Sequence, residues 1–305
     1  MPKCSPHSLL VLPPRAVAAG RRFHRRALLI GVAQYPAVTG VPSLPPLPGA
    51  DRNPWLLAPQ LAKRGFACEL LLNEHATRDE IRRAVRALVI QARAGDVCVL
   101  AFSGHGFSLT GSGASTSETG DFLYPHDAQT AGPIRSDDLL RWLLPAESRV
   151  SLYCVIDACH ADAVGSGSLS RWRLPVWSRP WRGYRADPDG DTVQSDNTLN
   201  HVVLSACRDN ERADYSTRTG GSFTQALVDV LAQHPHATTR SAMLATALEC
   251  ARRLGTSQHP LLRGPQSALD AEIFSSFRRA VAPASPRFAS HRLRIGAEPK
   301  ETIPL

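Results

Sequence analysis

The chain has 305 residues, 43% of them apolar, enough to bury one sizeable core with appendages. Its formal charge of +8 raises nucleic-acid binding as a reading, yet the arginines are scattered over several predicted helices and both ends, without the aromatic interleaving of a reader motif, so solvated helix faces account for them better. No window approaches the roughly 18–20 uninterrupted apolar residues of a membrane span, and the seven cysteines show no CxxC pair or Cys/His cluster with zinc spacing, so a soluble, reduced, cytoplasmic protein is expected.

Residues 1–22 predict a disordered leader, because Pro13, Pro14 and Arg15 cut the apolar stretch Leu9 to Leu12 far short of a signal-peptide core. Ala27 to Val32 then reads as a buried strand, and Pro36 to Pro48 is too rich in proline to be anything but a loop. A helix over about 53–64 leads to a second strand, Ala67 to Leu72. Thr77 and Glu80 have capping-box spacing, and Ile81, Val85, Leu88 and Val89 follow at helical intervals. A third strand, Val97 to Phe102, runs into Ser103-Gly104-His105-Gly106. Residues 108–120, mostly Gly, Ser and Thr, predict a loop, and Ser136 to Leu143 a short helix. The fourth strand, Leu152 to Ile156, runs into Asp157-Ala158-Cys159-His160. Residues 163–198 lack any period and predict an arginine-rich linker. A fifth strand, Asn200 to Ala206, precedes helices over 222–232 and 239–254, and the tail from 281 to 305 reads as disordered.

Strands alternating with helices predict a mostly parallel, doubly wound sheet, whose ligands bind beyond the carboxyl ends of the strands. His105 and Cys159 both sit at such ends. Side chains two apart on a strand share a face, so Ser103 is expected to point with His105, and Asp157 with Cys159, into one cleft. A free thiol is only a few per cent ionised at neutral pH, and a neighbouring imidazole relieves that by taking its proton. Main-chain NH groups near Gly106 and Cys159 are the candidate donors to a developing oxyanion. Acyl transfer through a thioester is the reaction this suggests. Cys68, Cys98, Cys154 and Cys250, by contrast, read as inert core.

These motifs resemble the caspase-like cysteine peptidases of peptidase family C14, in their bacterial metacaspase or orthocaspase form. Ser103 to Gly106 is similar to the family's catalytic-histidine motif, and Asp157 to Asp162 resembles its catalytic-cysteine motif. His105 precedes Cys159 by 54 positions, close to the roughly 50 of caspases. Supporting matches run from Ala27 to Gly31 and Leu47 to Gly49 through Ala94 to Asp96, Leu204 to Cys207 and Gly221 to Thr224, to Ser257 to Pro260. The resemblance implies a caspase-like α/β/α sandwich with about six strands over residues 23–280. Its large part would reach about residue 162, and its small part would begin near 199.

It further implies an endopeptidase that cuts peptide or protein substrates after Arg or Lys, with Cys159 as nucleophile and His105 as base, working as a monomer. Asp157 and Ser103 match two positions of the basic-residue pocket. Asn53 stands at the third, where the family commonly has aspartate, and Asp51 is the nearby carboxylate that would compensate. No cofactor is required by the chemistry. Calcium is the one the resemblance allows, with Asp121 and Asp137 at two ligand positions and Ser136 and Ser166 replacing two others; a solvated surface is the competing reading of Asp121, Asp137 and Asp138. Arg171, Arg173, Arg179, Arg182 and Arg185 read equally as self-cleavage sites, of which Arg182 and Arg185 are the candidates, or as an ordinary basic loop. A catalytically silent interaction module is the alternative to the enzyme.

Overall fold

The computed structural model describes residues 10–12, 24–40, 43–109, 120–143, 149–158, 201–208, 211–254 and 258–277. In chain order its strands are β1 (Leu10–Leu12), β2 (Arg25–Gly31), β3 (Ala67–Leu72), β4 (Val97–Gly104), β5 (Gly106–Leu109), β6 (Gly120–Leu123), β7 (Ile134–Arg135), β8 (Ser151–Ala158), β9 (His201–Ser205), β10 (Tyr215–Ser216), β11 (Gly220–Gly221) and β12 (Leu261–Arg263). Its helices are α1 (Asn53–Lys63), α2 (Arg78–Ile90), α3 (Ala128–Ala131), α4 (Ser136–Leu143), α5 (Ser222–Gln233), α6 (Thr239–Leu254) and α7 (Gln266–Leu269).

The main sheet has the order β1-β3-β2-β4-β8-β9-β12. Strands β3, β2, β4, β8 and β9 are mutually parallel, while β1 and β12 run antiparallel at the two edges. The expected caspase-like α/β sandwich is therefore the architecture found. Six strands from β3 to β12 answer the expected number, and β1 adds a seventh. This is a departure, because Leu10 to Leu12 falls in the predicted leader: these residues pair with Cys68 to Leu70, which supplies backbone partners to what would otherwise be the open edge of β3.

Every residue of β4 and β8 is buried, as expected of strands covered on both sides. Val99, Ala101, Tyr153 and Val155 face the side packed by α1 and α5. Leu100, Phe102, Cys154 and Ile156 face the side packed by α2 and α4. The chain passes from β2 outward through α1 to β3, then back across β2 through α2 to β4, so the strand order reverses between β2 and β4. Such a reversal opens a crevice at the carboxyl ends of the strands. Helix α2 begins where the capping residues place it, with Thr77 Oγ1 accepting from Glu80 N at 3.3 Å. The predicted 108–120 loop is shorter than expected. Ser108 and Leu109 pair with Asp121 and Gly120, because the turn at His105 feeds a second small sheet, β5-β6-β7.

Asp138 corrects the solvated-surface reading. It is fully buried between α2 and α4, with Arg78 Nη2 at 3.1 Å and Arg141 Nη1 at 3.6 Å, and the Arg78 guanidinium lies 5.6 Å from the centre of the Trp142 ring. Among the described residues no helix is long and apolar enough to cross a membrane.

Removing one partner of a buried ion pair strands the other. Asp138→Ala should therefore lower stability by about 3 kcal/mol, read as a shift in the urea midpoint at unchanged slope, and a loss below about 1 kcal/mol would show that the pair contributes little.

Candidate active site

Strands β4 and β8 run in parallel register with Ser103 opposite Asp157 and Gly104 opposite Ala158. Two motifs 54 residues apart in sequence thus end one strand spacing apart, about 4.8 Å. His105 follows immediately after β4. Cys159, one peptide bond beyond Ala158, lies outside the described residues, as do Ser166 and the linker arginines, Arg182 and Arg185 included.

His105 is held from two directions. Its main-chain NH donates to the Tyr35 hydroxyl at 2.9 Å, and the Tyr35 ring lies 5.0 Å from the imidazole, centre to centre. Its Nε2 is 2.9 Å from the Pro45 carbonyl oxygen, in the proline loop after β2. A carbonyl only accepts, so this bond assigns the proton of the neutral ring to Nε2 and leaves Nδ1 as its basic nitrogen. Burial pushes the imidazole below the ordinary histidine range, against the opposing pull of the Pro45 bond, and so favours the neutral form. Gly106 opens β5 opposite Leu123.

Beneath the strand ends lies a closed polar cluster. Asn53 Nδ2 is 3.0 Å from both Ser103 Oγ and Asp157 Oδ2, and Asn53 Oδ1 accepts from Gly221 N at 2.8 Å. Thr224 donates twice to the same carboxylate oxygen, from Oγ1 at 2.6 Å and from its main-chain N at 3.2 Å. These donors stand in the first turn of α5, where the free amides and the helix dipole favour an anion. The Tyr215 hydroxyl donates to the Asp157 carbonyl. Asp157 is 1% exposed, and its Oδ1 is buried with no hydrogen-bond partner among the described residues. Burial raises its pKa to about 6, against the downward pull of Thr224, Tyr215 and Asn53. Tyr215 also lines a cavity of about 400 Å³, together with Leu47, Pro48, Asp214 and Thr217.

Asn53, Ser103 and Asp157 are thus brought together. Asp51 belongs elsewhere, accepting from Asn73 Nδ2 at 3.2 Å. Sequence reasoning missed Tyr35, Pro45, Tyr215 and Thr224. The sequence marks Gly221 to Thr224 as a family match without a role, and its glycine pair followed by a helix start with threonine in the first turn is the signal that points to the carboxylate-binding function.

Among the described residues no third acidic, His or Cys ligand groups with Asp121 and Asp137. Asp137 pairs with Arg135 Nη2 at 3.3 Å, and among the described residues no three His, Cys, Asp or Glu side chains could hold a metal ion. A hard cation needs several oxygens, and Asp121 and Asp137 are the two candidate ligands that fall within the described residues. Cys68, Cys98, Cys154, Cys207 and Cys250 are buried free thiols, and burial pushes Cys68, Cys154 and Cys250 up to about 12 and Cys98 to about 11. None of these four is a competing nucleophile.

The profile of the caspase domain, peptidase family C14, matches residues 24–266. Metacaspase-2 of Trypanosoma brucei brucei is 26% identical over 261 residues, covering 78% of this chain and 72% of that protein. Metacaspase-3 of Trypanosoma cruzi is 29% identical over 205 residues, covering 61% and 54% respectively, and metacaspase-5 of Trypanosoma brucei brucei is 38% identical over 167 residues, covering 49% and 32%. The crystal structure of a Geobacter sulfurreducens protein, 21% identical, superposes with a TM-score of 0.66 over 84% of this chain and 100% of that one, a likeness of fold. With the family profile matching residues 24–266, a range that holds both strand-end motifs, the chain belongs to the caspase-domain family of cysteine peptidases.

Proposed function

We propose that this protein is a cysteine endopeptidase that hydrolyses peptide bonds after a basic residue. The observation that carries this reading is the β4–β8 register, which pairs Ser103 with Asp157 directly below the histidine and cysteine positions. In the proposed reaction the Cys159 thiol gives its proton to His105 Nδ1, and the sulfur attacks the scissile carbonyl. Main-chain NH groups of Gly106 and Cys159 hold the oxyanion, each such donor being worth about 3 kcal/mol of barrier. The imidazolium then protonates the leaving amine, and a thioester remains. Water, deprotonated by the same Nδ1, hydrolyses the thioester and restores the thiol. Positioned acid–base transfer of this kind typically contributes about 10²- to 10⁴-fold. The Pro45 carbonyl keeps the ring in the tautomer and orientation that this cycle uses.

Asp157 supplies the negative charge for a P1 cation. A monomer fits the edge of the sheet, since β12 is only three residues long and ends in the exposed Arg263, a poor template for pairing with a second copy. The buried free cysteines support a reducing compartment.

The purified protein should cleave a reporter peptide with Arg or Lys at P1 far better than one with Asp, and Cys159→Ala should abolish the cleavage. An electrophilic peptide probe with a basic P1 should label Cys159 selectively. Full activity in Cys159→Ala would sink the assignment, and an intact protein inert to both reporter and probe would favour the silent interaction module.

Acidity should act on the pocket and the dyad separately. Asp157 is ionised above about pH 6 and neutral below it, so KM for a basic reporter should rise as pH falls through about 6. Iodoacetamide alkylation of Cys159 involves no P1 cation and should show no break from Asp157 there. If alkylation and KM share the same break near pH 6, the effect belongs to the Cys159–His105 pair instead.

A further inference from the structure

The two oxygens of the Asp157 carboxylate are not equivalent. Oδ2 is occupied by three donors that the fold fixes: Asn53 Nδ2 at 3.0 Å, Thr224 Oγ1 at 2.6 Å and Thr224 N at 3.2 Å. Its remaining approach is closed by backbone, since a Cβ on Gly221 would lie 2.3 Å from Oδ2. The Asn53 amide cannot swing aside cheaply. Its Nδ2 also reaches Ser103 Oγ, and its Oδ1 holds the Gly221 amide. Oδ1 of Asp157 differs from Oδ2 in being buried with no hydrogen-bond partner among the described residues. A buried acceptor left unpaired destabilises the free protein, and ligand sites keep such groups because the ligand's donor relieves them.

Two kinds of basic side chain make different demands on that oxygen. A guanidinium pairs best through two parallel N–H···O bonds, one to each carboxylate oxygen. With Oδ2 taken, half of that fork has no match. An ammonium is a compact charge satisfied by a single strong acceptor and by neighbouring dipoles. Resting on the peptidase reading above, we propose that Asn53 makes this a one-oxygen pocket, so that the enzyme accepts Lys at P1 at least as well as Arg, and that residue 53 sets the choice.

Aspartate at this position would keep an acceptor for the Gly221 amide but remove the Nδ2 donor from Oδ2. Two carboxylates would then face the same space, releasing an oxygen for the second arm of a guanidinium. Asn53 is thus a specificity-determining residue.

The test uses the full chain and paired reporter peptides that differ only in Lys or Arg at P1. The expected ratio of kcat/KM, Lys over Arg, is about one or greater. In Asn53→Asp it should move roughly tenfold toward Arg, the size of one charge-assisted hydrogen bond, and the movement should be carried by KM. A tenfold Arg preference in the unaltered protein overturns the proposal without any need for the variant, and an unchanged ratio in a folded Asn53→Asp overturns the role of residue 53. Calorimetric titration of Cys159→Ala with the same two peptides separates this proposal from the catalytic one. Comparable binding of both supports it and tenfold tighter binding of the Arg peptide overturns it. Binding of neither overturns the pocket assignment, whereas binding of both without turnover by the unaltered protein overturns only the peptidase reading.

Discussion

The site depends on the parallel ladder between β4 and β8. Parallel neighbours cannot be joined by a tight turn, so a long crossover must separate them in sequence, and the ladder then restores in space what the chain has parted. Because the register is Ser103 to Asp157, a polar pair continues two apolar columns on the α1/α5 side of the sheet. A slip of one residue would turn that pair to the opposite face, against α2 and α4. The apolar residues that hold the register are buried on both faces, so packing of the core also aligns the chemistry.

Burying Asp157 is the conflict within this arrangement. Sheet order fixes the carboxylate inside, while its charge favours water, and its folded pKa of about 6 stands above the ordinary 3.8. For an acid shifted in this direction, the proton bound below pH 3.8 is compatible with the fold, and stability declines as pH rises through about 6. At neutral pH the fold therefore carries a strained anion. The residues that ease it come from both sides of the undescribed segment 159–200: Asn53 from the first helix, and Thr224 from the helix after β11. Neither part alone satisfies the carboxylate, which makes Asp157 a joint between them as well as a candidate ligand group.

Much of this was legible in the sequence because it is periodic and local. Unbroken apolar runs gave β4 and β8, their period of two paired Ser103 with Asp157 on one face, and Thr77 with Glu80 announced α2. What escaped is long-range and carried by backbone. No side-chain pattern shows that the Pro45 carbonyl meets an imidazole 60 residues on. Thr224 acquires its role only when α5 packs its first turn under β8. Asp138 looked like surface because a helix start with two aspartates is ordinarily solvated, and Arg78, brought in by α2, reversed that. Leu10 to Leu12 looked too short and proline-bounded to form structure, but the edge of β3 needs only a short partner.

The proline loop shows how a segment without regular structure becomes an orienting device. Prolines narrow the conformations open to the unfolded chain, so ordering a carbonyl at Pro45 forfeits less entropy than ordering one in a flexible loop. The loop is also tied back to the segment just past β2, with Leu47 N donating to Ala33 O at 2.8 Å, and Ala33 N in turn donates to Asn73 Oδ1 at 2.8 Å. Tyr35, at the start of the same loop, receives the His105 amide. The histidine is therefore positioned at its backbone and at its far ring nitrogen by one short stretch that leaves the sheet beside it. An acidic partner on Nε2 would raise the imidazole's proton affinity further; a neutral carbonyl fixes the tautomer with a smaller upward pull, which burial overrides. That combination gives an oriented, neutral imidazole, the form that the proposed proton transfer from Cys159 requires.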